Sequence, residues 1–215
     1  MENILRLYRL PYDERYPVLC FDERPCFLIG DVVQGFELKP GQVRKEHYEY
    51  AKNGSCCLLL AIEPLSGKRI AAVYDQRRKV EYAEFMQMVA THFPKAEKIR
   101  LIQDNLNTHN CSAFYEHFDA QTAYELSQKF EFHYTPKKAS WLNAAEIEFS
   151  AISRACLNKR IPAKEQLEKQ VLKYVKEREQ KQIKVSWQFS ITDARKKLNR
   201  HYAAVNQKNL KYKET

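Results

Sequence analysis

Two patterns of apolar and polar positions alternate along the chain. Short apolar runs bounded by turn residues predict strands, and apolar positions three or four residues apart predict helices. The predicted strands cover residues 17–22, 26–33, 55–64, 69–75, 98–105 and 131–136. The predicted helices cover residues 79–92, 112–129, 143–157 and 165–181, with a last short helix within 186–198. This order predicts an α/β domain in which helices cover a central mixed sheet.

Turn signals set the connections between the first four strands. A break at Arg24-Pro25 separates the first two strands. The polar stretch 34–54 contains Pro40-Gly41 and Asn53-Gly54 and predicts a loop. Residues 65–68, Leu-Ser-Gly-Lys, predict the turn of a hairpin between the third and fourth strands.

The composition is that of a globular protein. The 215 residues are 44% hydrophobic and 29% charged, which is enough to build a core. No run approaches the roughly 18 apolar residues of a membrane span, and the N-terminus lacks a secretory pattern, so we expect a cytoplasmic protein without membrane contact. The six cysteines form no CxxC pair, which favours reduced, mostly buried thiols over a metal site.

The chain is basic, with a formal net charge of +9 and a pI near 9.2. A polyanionic partner would explain this charge, because Lys and Arg that neutralise phosphates release counterions. Residues 176–215 hold 11 Lys or Arg against 4 Asp or Glu. That tail is either a solvated helix with a frayed end or a phosphate-contacting surface, and charge alone does not decide between them.

Acidic residues stand where two apolar runs end. Asp22 follows PVLCF and Asp104 follows IRLIQ. Ligands of open α/β sheets bind beyond the carboxyl ends of strands, although an Asp there is more often a turn former or a helix cap. Two Mg²⁺ ions held by carboxylates can activate an attacking oxygen and stabilise a leaving one. A third carboxylate on helix 143–157 would complete the site, and helical periodicity leaves both Glu146 and Glu148 open.

Four stretches carry a resemblance to a known family. They are CFDERP at 20–25, EKIRLIQDNLNTH at 97–109, FEFHYTPKKASWLNAAEIEFSAISRACL at 130–157 and VSWQFSITDARKKLNRHY at 185–202. These stretches resemble the DDE endonuclease domain of bacterial insertion-sequence transposases in the mariner-related superfamily. The likeness runs from about Tyr8 to Tyr202 and implies a ribonuclease-H-like fold.

The resemblance places the family's catalytic residues on Asp22, Asp104 and Glu146, which selects Glu146 where periodicity could not. It implies that these carboxylates hold two Mg²⁺ or Mn²⁺ ions. The implied substrate is double-stranded DNA at transposon ends and at a target. The implied reaction is hydrolysis of one strand, followed by attack of the freed 3′-hydroxyl on the target DNA.

The same motifs suggest supporting residues around the site. They are Asn105, His109, Trp141, Asn143, Lys137 and Lys138. Asn105 and His109 fall on the family's Asn and His positions and are expected beside the acids. The tryptophan and the second asparagine are expected to set the loop that presents Glu146, although a core anchor would also explain a tryptophan. The two lysines flank that loop, where they either contact phosphates or are solvated.

The chain divides into three expected parts. Residues 1–16 are an N-terminal remnant or linker, 17–160 the ribonuclease-H-like catalytic domain, and 161–215 a basic helical extension packed on it. Only about 20 residues precede Asp22, so we expect the helix-turn-helix region of complete transposases to be missing. A homodimer, or pairing with a helix-turn-helix-bearing subunit, would then supply DNA recognition.

Two other functions fit the same sequence. One is a non-catalytic transposase fragment that binds DNA or regulates a full-length transposase. The other is a different two-metal nuclease of the same fold, such as one acting on RNA–DNA hybrids. The basic tail suits all three interpretations.

Overall fold

The computed structural model describes residues 1–33, 41 and 47–212, with side-chain surroundings up to residue 209. Within these residues, one sheet contains β1 (Val18–Asp31), β2 (Tyr50–Ile62), β3 (Arg69–Tyr74), β4 (Ile99–Gln103) and β5 (Phe130–Tyr134). The α-helices are α1 (Glu2–Leu7), α2 (Lys79–His92), α3 (Ser112–His117), α4 (Ala120–Lys129), α5 (Ala145–Cys156), α6 (Lys164–Gln180), α7 (Ile191–Lys197) and α8 (Asn199–Val205). Short 3₁₀ turns cover Ser140–Leu142 and Gln207–Tyr212. Across the described part of the chain, no helix combines the length and the apolarity needed to cross a bilayer.

The sheet is mixed, with the strand order β3-β2-β1-β4-β5. Strands β1, β2 and β3 form an antiparallel meander, and β4 and β5 run parallel to β1 on its other side. Parallel neighbours need crossover connections, which contain α2, α3 and α4. The predicted α/β architecture with a mixed sheet between helices is therefore confirmed.

Strand β1 is continuous, so the predicted break at Arg24-Pro25 is wrong. Strand β1 pairs with β2 along most of its length, and Pro25 lies opposite Cys57 in that register. On its other edge, β1 pairs with β4 only through Val18–Cys20. At Pro25, therefore, the side of β1 that faces β4 earlier in the strand has no neighbouring strand. A missing backbone N–H is tolerated at such an edge, which is why the proline does not end the strand.

Strand β2 begins earlier than predicted, at Tyr50 rather than at residue 55. Asn53 and Gly54, which predicted a turn, lie instead where the register of the β1–β2 pairing shifts. Gly54 has φ +118°, a backbone conformation that favours glycine, and a β-bulge of this kind bends the strand without ending it. The rest of the predicted loop, residues 34–40 and 42–46, lies outside the described residues.

Helices α2, α3 and α4 cover one face of the sheet. Phe21 of β1 and Leu59 of β2 pack there against Phe85 of α2 and Phe114 of α3. The single helix predicted over 112–129 is two helices, because Asp119 begins α4. Its side chain accepts the backbone N–H groups of the second and third residues of α4 and so caps that helix.

Helices α1, α5 and α6 cover the other face. The predicted core stripe of α5 is buried, and it consists of Ala145, Phe149, Ile152 and Cys156. Helix α6 adds Leu167, Val171 and Val175. Helix α1 adds Ile4, Leu5 and Leu7, each at most 1% exposed. The segment before β1 thus contributes apolar side chains to the core, next to the start of α5.

Glu148 of α5 is fully buried between two arginines. Arg69 Nη2 donates to its Oε2 at 3.0 Å, and Arg178 Nη2 donates to the same oxygen at 3.1 Å. The side chains of Arg69 and Glu148 are both 0% exposed. Because these residues belong to β3, α5 and α6, the cluster joins the sheet to two helices. Glu148 is therefore committed to packing on this face.

Replacing Glu148 by alanine is expected to lower the free energy of unfolding by about 3–5 kcal/mol, because the buried guanidinium groups lose their counterion. Urea or thermal unfolding followed by circular dichroism measures the change. Glu146→Ala on the same helix is the matched control and should leave stability unchanged or slightly higher, since Glu146 is exposed. Equal losses in the two variants would contradict the structural role of Glu148.

Candidate active site

Two aspartates lie side by side where the parallel pairing of β1 and β4 ends. The last parallel pair is Cys20 with Ile102, so the same register, two residues further along, brings Asp22 next to Asp104. Asp104 directly follows β4, as predicted. The prediction that Asp22 ends a strand is wrong, because β1 continues to Asp31. What ends near Asp22 is the pairing with β4.

Glu146 reaches this edge in the first turn of α5, where its side chain is exposed. The loop before α5 is fixed by Asn143, which is only 1% exposed. Asn143 Nδ2 donates to the carbonyl oxygen of Phe21 at 2.7 Å and lies 3.5 Å from Asp22 Oδ2. Its Oδ1 accepts the N–H of Ala145 at 3.2 Å. Asn143 therefore joins the start of α5 to β1 beside Asp22.

The Asp22 carboxylate is in an unfavourable environment. Burial, followed by the charges of Glu146 and Asp104, raises the pKa of Asp22 to about 7. The N–H of Glu23, which donates to Asp22 Oδ1 at 2.8 Å, and the charge of His109 act in the opposite direction. Because the charges of Glu146 and Asp104 both act on Asp22, the three carboxyl groups lie within one electrostatic environment.

His109 is a buried cation behind Asp104. Its Nδ1 donates to Asp104 Oδ1 at 2.5 Å, and its Nε2 lies 3.5 Å from Glu23 Oε2. Burial lowers the pKa of His109, but the hydrogen bonds and charges of Asp104 and Glu23 raise it to about 9. The bond has the reverse effect on its partner: against the effect of burial, it holds the pKa of Asp104 below its usual value. Asp104 is thus charge-compensated, whereas Asp22 is not.

The ring of His109 is held by aromatic and amide contacts. Tyr82 stacks on it with ring centroids 5.0 Å apart, and Phe21 makes an edge contact at 5.2 Å. Gln103 Nε2 donates to the backbone carbonyl of His109 at 2.9 Å, and the Tyr82 hydroxyl donates to Gln103 Oε1 at 2.9 Å. These contacts leave little freedom for the imidazole beside Asp104.

Glu23 is a member of this group that sequence reasoning missed. Its side chain is 6% exposed, and Arg77 Nη1 lies 3.4 Å from its Oε1. Successive residues of a strand face opposite sides, so Glu23 lies on the same side as Leu19 and Phe21, away from Asp22. A sequence signal for Glu23 was available: it is an acidic residue at the position where the every-second-residue pattern of Leu19 and Phe21 predicts another buried apolar side chain.

The structure separates the supporting predictions into two groups. Asn143 and His109 contact the acidic residues, as described above. Asn105 is exposed in the turn after β4, and Lys137 and Lys138 are exposed in the loop after β5. Lys138 has a left-handed backbone, with φ 64°. Trp141 is 45% exposed and makes an edge contact with Phe189, with centroids 5.4 Å apart.

The donor set suits a hard divalent cation. Mg²⁺ and Mn²⁺ prefer carboxylate oxygens, and a cation would neutralise the charge that burial and repulsion make unfavourable on Asp22. Within the described residues, the present arrangement brings no three Asp, Glu, His or Cys side chains close enough together to enclose a metal ion. Like charges repel without a cation between them. The three acids therefore suit a divalent ion in the type of donor atom and in their location at one edge of the sheet, but the distances between them are not those of a formed metal site.

Comparison with known families identifies the class of the protein. The family model described as DDE superfamily endonuclease matches residues 17–168, which include all three acids of the site. The chain therefore belongs to the DDE superfamily endonucleases, and this part of the predicted resemblance is confirmed. No curated protein sequence matches the chain.

Solved transposase structures share the fold. The Mos1 mariner paired-end complex with Mn aligns with a TM-score of 0.55 and 13% identity, over 84% of this chain and 55% of that chain. The Mos1 transposase paired-end complex with left transposon end gives 0.54 and 13%, over 85% and 56%. The Mos1 strand transfer complex gives 0.50 and 12%, over 84% and 56%. This chain spans little more than half of those chains, and the likeness confirms the predicted ribonuclease-H-like fold.

Asp22→Asn is expected to stabilise the protein by about 1–2 kcal/mol at pH 8 in the presence of a chelator, after allowance for solvent screening of this partly exposed group. The reason is that folding raises the pKa of Asp22 from 3.8 to about 7. Below the unfolded-state pKa the carboxyl is protonated in both states. As pH rises through the folded-state pKa, the unfolded state binds fewer protons than the folded one, so the wild type loses stability relative to the variant.

Urea unfolding of both proteins at pH 5 and pH 8 in EDTA measures this difference. The titration of groups that do not interact with Asp22 cancels when the two proteins are compared at the same pH. Asp119→Asn replaces an exposed helix cap by an equally good one and serves as the control. A variant less stable than the wild type at pH 8 would show that Asp22 is not an uncompensated carboxylate.

Proposed function

We propose that this chain is the catalytic domain of a DDE transposase, which cleaves one strand of double-stranded DNA and joins the freed end to a target. The observation that supports this most is the meeting of three acids at one edge of the sheet. Burial, followed by the charges of Glu146 and Asp104, destabilises the anionic form of Asp22, in a chain of the DDE superfamily endonucleases. A shared environment for three acids from separate elements is what divalent ion binding requires.

Asp22, Asp104 and Glu146 are the residues that would hold two Mg²⁺ or Mn²⁺ ions. When bound, such ions activate an attacking oxygen and neutralise charge at the phosphorus. The similar Mos1 structure with Mn supports a divalent metal by analogy. Glu148 is unsuited to the same task, because two arginines already neutralise its carboxylate.

Neighbouring side chains would orient the acids. The His109 imidazolium fixes one oxygen of Asp104 and keeps that carboxyl ionised, so it does not compete for a proton at neutral pH. Asn143 holds the start of α5 against β1, which sets the approach of Glu146 to Asp22. Such outer contacts tune metal ligands in many proteins. Lys137 and Lys138, exposed in the loop before α5, are proposed to meet DNA phosphates, as is Asn105 beside Asp104.

The proposed partners are transposon ends and target DNA, brought together by two copies of the chain or by this chain and a helix-turn-helix-bearing transposase subunit. The similar Mos1 structures are paired-end and strand transfer complexes, which supports an assembly of this kind. A second candidate is a fragment that binds DNA or regulates a full-length transposase without cleaving. The net positive charge of residues 176–215 favours it, since charge alone suffices for binding.

Asp22→Asn, Asp104→Asn and Glu146→Gln are each expected to lower Mg²⁺- or Mn²⁺-dependent nicking of a supercoiled plasmid by about a thousandfold or more, because each removes a ligand charge while keeping side-chain shape. DNA affinity should not fall, since the substitutions remove negative charge that repels the DNA phosphates. Gel analysis of plasmid nicking and filter binding measure the two properties separately.

Asp119→Asn is the matched control and should nick like the wild type, because its side chain caps α4 away from the acids. A variant that carries all three substitutions and still nicks the plasmid at the wild-type rate would refute the assignment. DNA binding by the wild type without any metal-dependent nicking would instead favour the non-catalytic candidate.

A further inference from the structure

The hydroxyl of Tyr8 lies under the loop that leads into α5. It donates a hydrogen bond to the carbonyl oxygen of Leu142 at 2.7 Å, and it accepts one from the backbone N–H of Ala144 at 3.0 Å. These two peptide groups lie on either side of Asn143. One side chain, from a segment more than a hundred residues away in sequence, therefore holds the backbone on both sides of the residue that contacts Asp22.

The same short loop is held from a second direction by Asn143. Its side chain reaches across to the carbonyl oxygen of Phe21 on β1, and its own carbonyl accepts the N–H of Glu146 at 3.1 Å. The loop is thus held by its backbone on the Tyr8 side and by its side chain on the β1 side. Glu146 follows this loop in the first turn of α5, so the position of the loop sets the position of the Glu146 side chain.

Tyr8 is itself rigidly placed. Its ring stacks on Trp187 with centroids 4.6 Å apart and an interplanar angle of 26°. Its oxygen lies 3.1 Å from Cys20 Sγ, which can donate the remaining hydrogen bond. Burial raises the pKa of Tyr8 well above its usual value, so the hydroxyl keeps its proton for Leu142. A buried hydroxyl whose proton and lone pairs are all committed has little freedom to move.

We propose that Tyr8 is a positioning residue for Glu146: its hydroxyl sets the path of the loop 142–144 and thereby the distance from Glu146 to Asp22. The proposal rests on the proposed function, since Glu146 matters here as a metal ligand. Tyr8 acts through the loop backbone and touches neither the acids nor the DNA in this role. Because α1 and the segment after it bring Tyr8 to the loop, residues before β1 become part of the active-site architecture.

Tyr8→Phe removes the hydroxyl and keeps the ring and its stacking. We expect faster hydrogen exchange of the Ala144 amide. We also expect about a tenfold loss both in Mn²⁺ affinity by calorimetry and in kcat for nicking, as is usual when an outer contact of a metal ligand is lost. The KM for DNA should stay within about twofold, since no DNA contact is removed.

Val171→Ala is the control for a loss of stability alone. Val171 is fully buried between α6 and the sheet, so the substitution lowers the melting temperature without touching the loop. It should leave Mn²⁺ affinity and kcat unchanged at a temperature where all proteins are folded. If Tyr8→Phe does not fold, Trp187→Leu is the second variant. It removes the ring that stacks on Tyr8, together with the hydrogen bond from Trp187 Nε1 to the carbonyl oxygen of Phe189, and a smaller effect in the same direction is expected.

The outcomes separate this proposal from the proposed function. A wild type that binds Mn²⁺ but does not nick DNA overturns the function, while the change in Mn²⁺ affinity still decides the role of Tyr8. A wild type that nicks, together with a folded Tyr8→Phe variant of unchanged Mn²⁺ affinity and kcat, overturns the positioning role alone. A wild type that neither binds Mn²⁺ nor nicks overturns both.

Discussion

The burial of an aspartate carboxyl group close to two other acids is the constraint around which this end of the sheet is arranged. Asp22, Asp104 and Glu146 meet at one edge, and burial, together with the charges of Glu146 and Asp104, makes the ionisation of Asp22 less favourable. The fold compensates one of them internally, because the buried imidazolium of His109 lies against Asp104 and is balanced on its far side by Glu23. Asp22 receives no comparable cation, and its pKa rises to about 7. This asymmetry leaves a carboxyl group without a compensating cation where the proposed function places a divalent ion.

Helix α5 carries two acids with opposite surroundings, and the contrast explains how one element can support both packing and chemistry. Glu148 turns into the core, where Arg69 and Arg178 neutralise it and attach the helix to β3 and α6. Glu146, two residues earlier, faces the exposed edge near Asp22. The first anchors the helix, and the second is free to approach a ligand. The helix start is fixed separately by Asn143, so its position does not depend on the charge at Glu146.

The sequence was a good guide where local periodicity and tertiary packing agree. Helix α2 and the buried stripe of α5 follow the predicted positions, because an apolar stripe with a period of 3.6 residues has one stable place, against the sheet. The predictions failed where strand pairing with a distant segment outweighed the local preference of a residue. Pro25 predicted a strand break, but it lies where β1 no longer pairs with β4. Asn53 and Gly54 predicted a turn and form a bulge, since continued pairing with β1 outweighs their turn preference.

By itself, the sequence determined the fold class, because strand and helix periods are local properties. Its motifs, which resemble those of DDE endonucleases, predicted the three acids of the proposed site. It could not choose between Glu146 and Glu148 by periodicity, since both flank the same stripe. Only the tertiary structure decided which acid is neutralised by arginines, that His109 is a buried cation, and that Tyr8 holds the loop before α5. The physical reason is that the burial of a side chain and its ion pairs depend on which distant segments of the chain pack together, and a local sequence pattern carries no information about those contacts.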